Sequence, residues 1–190
     1  MYFKKILGRR IYLSPIDKND YLKYTHWVND MDVSIGCSLA TLLINEEGEK
    51  IALERLTKEP YNFAIVTNNE NKLIGNLGFV RLDYINRVGE LGIFIGDKNY
   101  WNNGYGKEAI ELLIDFGFNI LNLNNINLKV FSFNHQAIKC YKKIGFREAG
   151  RLREAKIIGS QRFDEITMDL LQEEIESPYI SNVLNKKRGK

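Results

Sequence analysis

Leu91, Ile93 and Ile95 alternate with Gly92, Phe94 and Gly96, the period of a strand. From Lys107 onward Ala109, Ile110, Leu113, Ile114, Gly117, Ile120 and Leu121 recur at three- and four-residue intervals, the period of a helix with one apolar face. The change of period predicts a strand, a turn over Asp97 to Asn103 and a helix. The turn ends in Asn103-Gly104-Tyr105-Gly106-Lys107. A helix that opens at glycines presents unpaired N–H groups and the positive end of its dipole, and glycines let a phosphate approach the backbone. The arrangement predicts a pyrophosphate site.

Elsewhere the pattern predicts alternating strands and helices. Arg10 to Leu13 reads as a strand stopped by Ser14-Pro15. Asp17 then caps a helix to about Asn29 that buries Tyr21, Tyr24, Trp27 and Val28. Asp30 to Asn45 has no clear period and reads as a loop or irregular helix beside a cleft. A helix starting at Asn45 runs to Pro60, with Glu46, Glu47 and Glu49 as a solvated first turn. Tyr61 to Thr67 and Lys72 to Leu82 form a hairpin, and a third strand follows the turn at Tyr84 to Val88. These three make an antiparallel meander, whereas the passage from Leu91 to Phe133 requires a parallel crossover, so the sheet is mixed. Beyond Asn134, the residues Ala137, Ile138, Tyr141 and Ile144 mark a short amphipathic helix closed by Gly145. Phe146 to Ile158 and Arg162 to Leu171 form a last hairpin around Gly159-Ser160. A final helix is predicted at Ser177-Pro178, with Tyr179, Ile180, Val183 and Leu184 as an apolar face suited to a homodimer.

Three ligand classes use a glycine turn of this kind. A Walker loop needs Ser or Thr after Gly-Lys to hold magnesium, and Gly106-Lys107 is followed by Glu108. Gly104-Tyr105-Gly106-Lys107-Glu108-Ala109 spells a dinucleotide fingerprint, but the next strand, Ile126 to Phe133, carries no carboxylate for a ribose. Coenzyme A remains; it needs a pyrophosphate cradle and a strand edge for its pantetheine amides.

Composition narrows the function further. The 190 residues, 44% hydrophobic and 27% charged, suit one domain, 1–190, with its own core. The net charge of +3 comes from the end of the chain: without Lys186, Lys187, Arg188 and Lys190 there are 23 basic and 24 acidic residues, a net of −1. The body of the chain is therefore not expected to bind nucleic acid. Cys37 and Cys140 have no metal-ligand spacing and His26 and His135 stand alone, so no metal is expected and a reducing cytoplasm fits. No apolar run approaches the roughly eighteen residues of a membrane span, and no membrane partner is expected.

Two motifs carry a resemblance. Trp101-Asn102-Asn103-Gly104-Tyr105-Gly106 follows the pattern Q/R-x-x-G-x-G/A with Trp101 in place of Gln or Arg. Asn134, Ala137, Tyr141, Lys143, Gly145 and Phe146 match N-x-x-A-x-x-x-Y-x-K-x-G-F. These resemble the GNAT superfamily of acyl-CoA-dependent N-acyltransferases, in the branch containing ribosomal-protein alanine and spermidine acetyltransferases. The likeness runs from about Tyr61 to Leu171; upstream, Trp27, Asn29 and Asp30 are similar to that branch's W-x-N-D.

The resemblance implies an α/β fold: a central mixed, mostly antiparallel sheet flanked by helices, with a strand-loop-helix site for acetyl-CoA. It implies pantetheine pairing along Ile93, Phe94 and Ile95 and a pyrophosphate on the backbone of Asn102, Asn103, Gly104, Tyr105, Gly106 and Lys107. Asn134 and Lys143 belong to the second motif, and Asn134 caps its helix, bonds the pantetheine, or both. Tyr141 is implied as the acid that protonates the departing thiolate. Glu90 stands where some members carry a general base, and it either takes the amine's proton or orients a water that does. Direct attack by an amine is expected rather than an acyl-cysteine on Cys140. The acceptor is a protein N-terminus, a polyamine, an amino sugar or another small amine; the competing reading is a non-catalytic acyl-CoA sensor, which has no use for a proton donor at Tyr141.

Overall fold

A computed structural model describes residues 1–37, 39–176 and 179. The final helix expected from Ser177, its apolar face and the basic tail therefore fall almost wholly outside the described residues. The strands are β1 (Ile6–Leu7), β2 (Ile11–Pro15), β3 (Asn62–Thr67), β4 (Leu73–Asp83), β5 (Val88–Ile95), β6 (Asn125–Phe131), β7 (Arg147–Ile158) and β8 (Gln161–Leu171). The helices are α1 (Tyr21–Asn29), α2 (Met31–Ser34), α3 (Glu46–Lys58), α4 (Tyr105–Asn119) and α5 (His135–Ile144). Among the described residues eight strands form one mixed, mostly antiparallel sheet in the order β1-β2-β3-β4-β5-β6-β8-β7. The crossover from β5 through α4 to β6 makes the parallel pair, with Val88, Gly89 and Glu90 opposite Asn125, Ile126 and Asn127. The expected α/β fold class is the one observed.

Two compact units divide the chain: Met1–Gly78 with Ile93–Leu112, and Phe79–Gly92 with the chain from Leu113 on. In the first unit, Tyr12, Ile16, Tyr24, Leu53, Ala64, Val66 and Leu73 form a buried cluster, with Trp27, Leu56 and Phe94 packed against it. Helices α1 and α3 are held there by Tyr24 on one and Leu53 on the other. Glu49 lies one turn before Leu53, on the same face. It is accordingly buried, which corrects the reading of all three as a solvated turn; Glu46 and Glu47 are exposed as expected. The α3 N-terminus is capped as expected, Gly48 N donating to Asn45 Oδ1 at 2.8 Å.

Strand β1 has only two residues and no alternation to reveal it; it pairs with Leu13 and Tyr12. Strand β2 does not stop at Ser14 and Pro15 as expected but continues through them, opposite Ala64 and Phe63 of β3. The stretch after Asp30 is the short helix α2 and a 3-10 turn over Ile35–Cys37, an irregular helix as expected. In the second unit, α4 lies close on the strands at Gly117. A Cβ there would fall 2.8 Å from Phe79 Cζ and 2.9 Å from Ile126 Cδ1. Strand β7 is solvent-exposed over most of its length and slips register twice against β8.

Candidate active site

The end of β5 from Ile93, the turn and the start of α4 to Leu112 all lie in the first unit. Gly96 N and Asp97 N both donate to Ile74 O, at 3.0 and 3.2 Å. Alternation along the strand then turns the amides of Ile95 and Ile93 to the opposite edge. The β6 register covers only Val88 to Glu90. Glycine is required beside this segment: a side chain at Gly75 would collide with the Phe94 carbonyl, and one at Gly96 with the Trp27 indole. Tyr24, Trp27 and Phe94 pack as an aromatic group there, with Trp27 edge-on to Tyr24 at 5.3 Å and to Phe94 at 6.0 Å.

The turn is built by local hydrogen bonds. Asp97 accepts from Asn99 N at 3.1 Å and pairs with Lys72 at 2.8 Å. Burial raises the Asp97 pKa, but the hydrogen bonds from Lys72 and Asn99 outweigh it, leaving the carboxyl below its usual range. The Trp101 indole donates to Ile95 O at 2.8 Å, fastening the loop to the strand end. Asn102 and Gly104 take positive φ, 61° and 78°, which swing the chain into the helix. The first bond of α4 runs from Glu108 N to Gly104 O at 3.1 Å. The amides of Tyr105, Gly106 and Lys107 thus precede the helical ladder and point out of the helix end. A Cβ on Gly106 would meet Ile95 and Ile93 only at ordinary distances of 3.7 and 3.9 Å. The protein does not itself need glycine there, whereas a ligand approaching the backbone does, so the turn fits a diphosphate.

Two side chains differ from a simple cradle. Lys107 turns its ammonium to Glu111 at 2.6 Å, so only its amide faces the turn. Tyr105 is held edge-on by Tyr100 at 5.0 Å and lies under the Arg10 guanidinium at 4.5 Å. Arg10 was not predicted to belong here. Its backbone N and Nε both donate to buried Glu108 at 2.8 Å, and its Nη1 donates to Asn103 O at 2.8 Å. Burial pushes the Glu108 carboxyl up, but the Arg10 hydrogen bonds prevail and hold it below its usual value. A contact spanning 98 positions leaves no spacing signal in the sequence.

The other expected residues belong to the second unit. Glu90 is half-buried on β5, opposite Asn127 in the parallel register. Asn134 caps α5, its Oδ1 accepting from Ala137 N at 3.1 Å. Tyr141 is buried and sets its ring edge-on to Phe146 at 6.1 Å. Gly145, at φ 126°, closes the helix by donating to Tyr141 O and Lys142 O. Lys143 is exposed in the last turn of α5. His26 and His135 are exposed.

A family model described as an acetyltransferase (GNAT) domain matches residues 10–147. The chain belongs to the GNAT acetyltransferase family. An uncharacterized N-acetyltransferase, p20, from Bacillus licheniformis is 35% identical over 112 residues, 59% of this chain and 62% of that one. Spermidine N(1)-acetyltransferase from Vibrio cholerae is 32% identical over 108 residues, 57% of this chain and 62% of that one. The matched stretch thus spans about six tenths of the length of these two relatives. Among solved structures, a GNAT acetyltransferase from Bacillus anthracis superposes with a TM-score of 0.78 at 23% identity, covering 92% of this chain and 100% of that one. The Vibrio cholerae spermidine N-acetyltransferase in complex with CoA and spermine gives 0.77 at 22%, covering 88% and 98%. At such identity these structures speak for the fold. Within the GNAT loop pattern, Trp101 occupies the Gln or Arg position, and its indole bond to Ile95 O explains what a tryptophan does there.

Proposed function

We propose that this GNAT protein transfers the acetyl group of acetyl-CoA to a primary amine by direct attack. One observation carries the reading. A strand edge, with the amides of Ile93 and Ile95 turned away from β4, leads within one unit into a glycine turn whose helix amides face outward. Those two features match the two ends of a pantetheine diphosphate. The relatives include spermidine N(1)-acetyltransferases, which supports an amine as acceptor.

Acetyl-CoA supplies the activated carbonyl. In this reading Ile93, Phe94 and Ile95 align the pantetheine, and the backbone from Asn102 to Lys107 holds the diphosphate. Asn134 spends its Oδ1 on the α5 cap, which leaves its Nδ2 for a pantetheine carbonyl, while Lys143 stands in the solvent-facing last turn of α5 for the cofactor's charged end. The amine nitrogen forms a bond to the thioester carbon and the carbon–sulfur bond breaks. Glu90 takes the proton the amine loses, directly or through water, and Tyr141 gives its phenolic proton to the thiolate. A phenol of reference pKa about 10 is protonated at neutral pH and can supply a thiolate of about 8.5 as charge develops on sulfur. Burial pushes the Cys37 thiol up to about 11, which keeps it protonated near neutral pH and removes it as a nucleophile.

Both units act as one domain in this reading, the protein works in the cytoplasm, and it forms a homodimer; among the described residues no helix is long and apolar enough to cross a membrane. A screen of primary amines with acetyl-CoA and thiol detection tests the activity. Release of thiol dependent on one amine class supports it, and none with polyamines, amino sugars, small amines or N-terminal peptides would sink it. A monomeric mass in light scattering would remove the dimer alone.

A further inference from the structure

The guanidinium of Arg10 is fixed on two edges and one face. Nε points to buried Glu108 and Nη1 to the Asn103 carbonyl, each at 2.8 Å, and the Tyr105 ring lies 4.5 Å from its centre. One nitrogen is left over. Nη2 lies 3.3 Å from where a Cβ on Gly104 would sit, beside the turn, and it donates to no group among the described residues. The lysines around the turn are differently placed. Lys72 pairs with Asp97 at 2.8 Å, Lys98 with Asp30 at 2.6 Å and Lys107 with Glu111 at 2.6 Å. Each of those ammonium groups is already matched to a carboxylate, whereas Arg10 keeps part of its fork free after satisfying Glu108.

We propose that Arg10 is the cationic ligand of the anion turn, shaping it through the Asn103 carbonyl and offering Nη2 to a phosphate group of coenzyme A; the inference rests on reading that turn as the coenzyme's. The arrangement explains why a buried carboxylate sits under the turn. Glu108 offsets the net charge of the guanidinium but locks its plane, so Arg10 contributes a directed donor more than a field. Tying back the Asn103 carbonyl also commits that oxygen to a donor, where an uncommitted one would repel a phosphate. Lysine cannot reproduce this, having one nitrogen for the work of three.

The test compares wild-type protein with Arg10→Lys and with the double variant Arg10→Gln/Glu108→Gln, which leaves no buried unpaired charge if the single change fails to fold. Calorimetric titration with CoA and with dephospho-CoA, which lacks the 3′-phosphate, is set beside KM and kcat for S-acetylpantetheine, which has no phosphate. The expected result is a loss of about 10- to 100-fold in CoA affinity in both variants, with KM and kcat for S-acetylpantetheine unchanged. An equal loss for dephospho-CoA places Nη2 at the diphosphate, and a loss confined to CoA places it at the 3′-phosphate. CoA affinity unchanged, or an equal loss with S-acetylpantetheine, would overturn the role of Arg10. A wild-type protein that bound neither nucleotide would overturn the reading of the turn itself.

Discussion

Replacing Gly104 by alanine separates what the turn needs to fold from what it needs to bind. Gly104 sits at φ 78°, where an L-residue costs about 1–2 kcal/mol. For a chain of this size each kcal/mol lowers Tm by about 2–4 °C, and a total stability of about 5–15 kcal/mol keeps the variant folded. Gly159, in the turn between β7 and β8, provides the control: its φ is 60° and a Cβ there meets nothing within 4 Å. Gly159→Ala should therefore show a similar fall in Tm. The two variants diverge in binding. At Gly104 the strain is relieved by rotating the turn, which carries the outward amides off the phosphates, and the new methyl also presses on Arg10 Nη2 at 3.3 Å. Losing one charge-assisted bond of about 1.5–3 kcal/mol raises Kd roughly 10- to 150-fold. Thermal melts and calorimetric titration with acetyl-CoA measure both quantities. Wild-type affinity in folded Gly104→Ala, or an equal loss in Gly159→Ala, would remove this turn from the coenzyme's site.

Three further outcomes are expected. Tyr141→Phe keeps the ring packed on Phe146, so acetyl-CoA affinity should hold while kcat on a confirmed amine falls about 10²- to 10⁴-fold; equal turnover in the two proteins would end the assignment of Tyr141 as acid. Among the described residues the buried Tyr24 hydroxyl has no hydrogen-bond partner, so Tyr24→Phe should raise the unfolding free energy by about 1 kcal/mol in urea titrations, and a lower value would show that the hydroxyl is satisfied. Burial raises the Glu49 pKa above its ordinary 4.5, so the folded state binds this proton more tightly than the unfolded chain. Its stabilising share is complete below the unfolded value and is lost as pH rises through the folded one. Glu49→Gln should therefore raise Tm near pH 7.5 more than near pH 4.5, and a uniform shift would contradict that.

The parts of this protein that were legible in its sequence are those set by local chemistry. The switch from period two at Leu91–Ile95 to helical spacing beyond Lys107 exposed β5, the turn and α4, because burial of one face imposes the period directly. Gly145 announced the end of α5, and Asn45 and Asn134 their caps. What stayed hidden depends on contacts between distant positions or on a side chain's choice of partner. Arg10 reads as the edge of a strand until β2 brings it to Glu108. The Lys107 ammonium turns to Glu111, one turn on, a pairing that the glycine motif around it does not foretell. Glu49 was indistinguishable from Glu46 and Glu47 because only the packing of Leu53 against α1 decides which of the three is buried.

In the proposed reaction one acetyl group passes directly from acetyl-CoA to an amine. That transfer is tested most directly by mixing the protein with limiting acetyl-CoA and the best amine of the screen, quenching at intervals, and following free thiol, acetylated amine and protein mass together. Thiol and acetylated amine should rise in equal amounts with the protein mass unchanged. Thiol released ahead of product with an acetylated protein would contradict direct attack, and bound acetyl-CoA that gives neither product would make the protein a sensor.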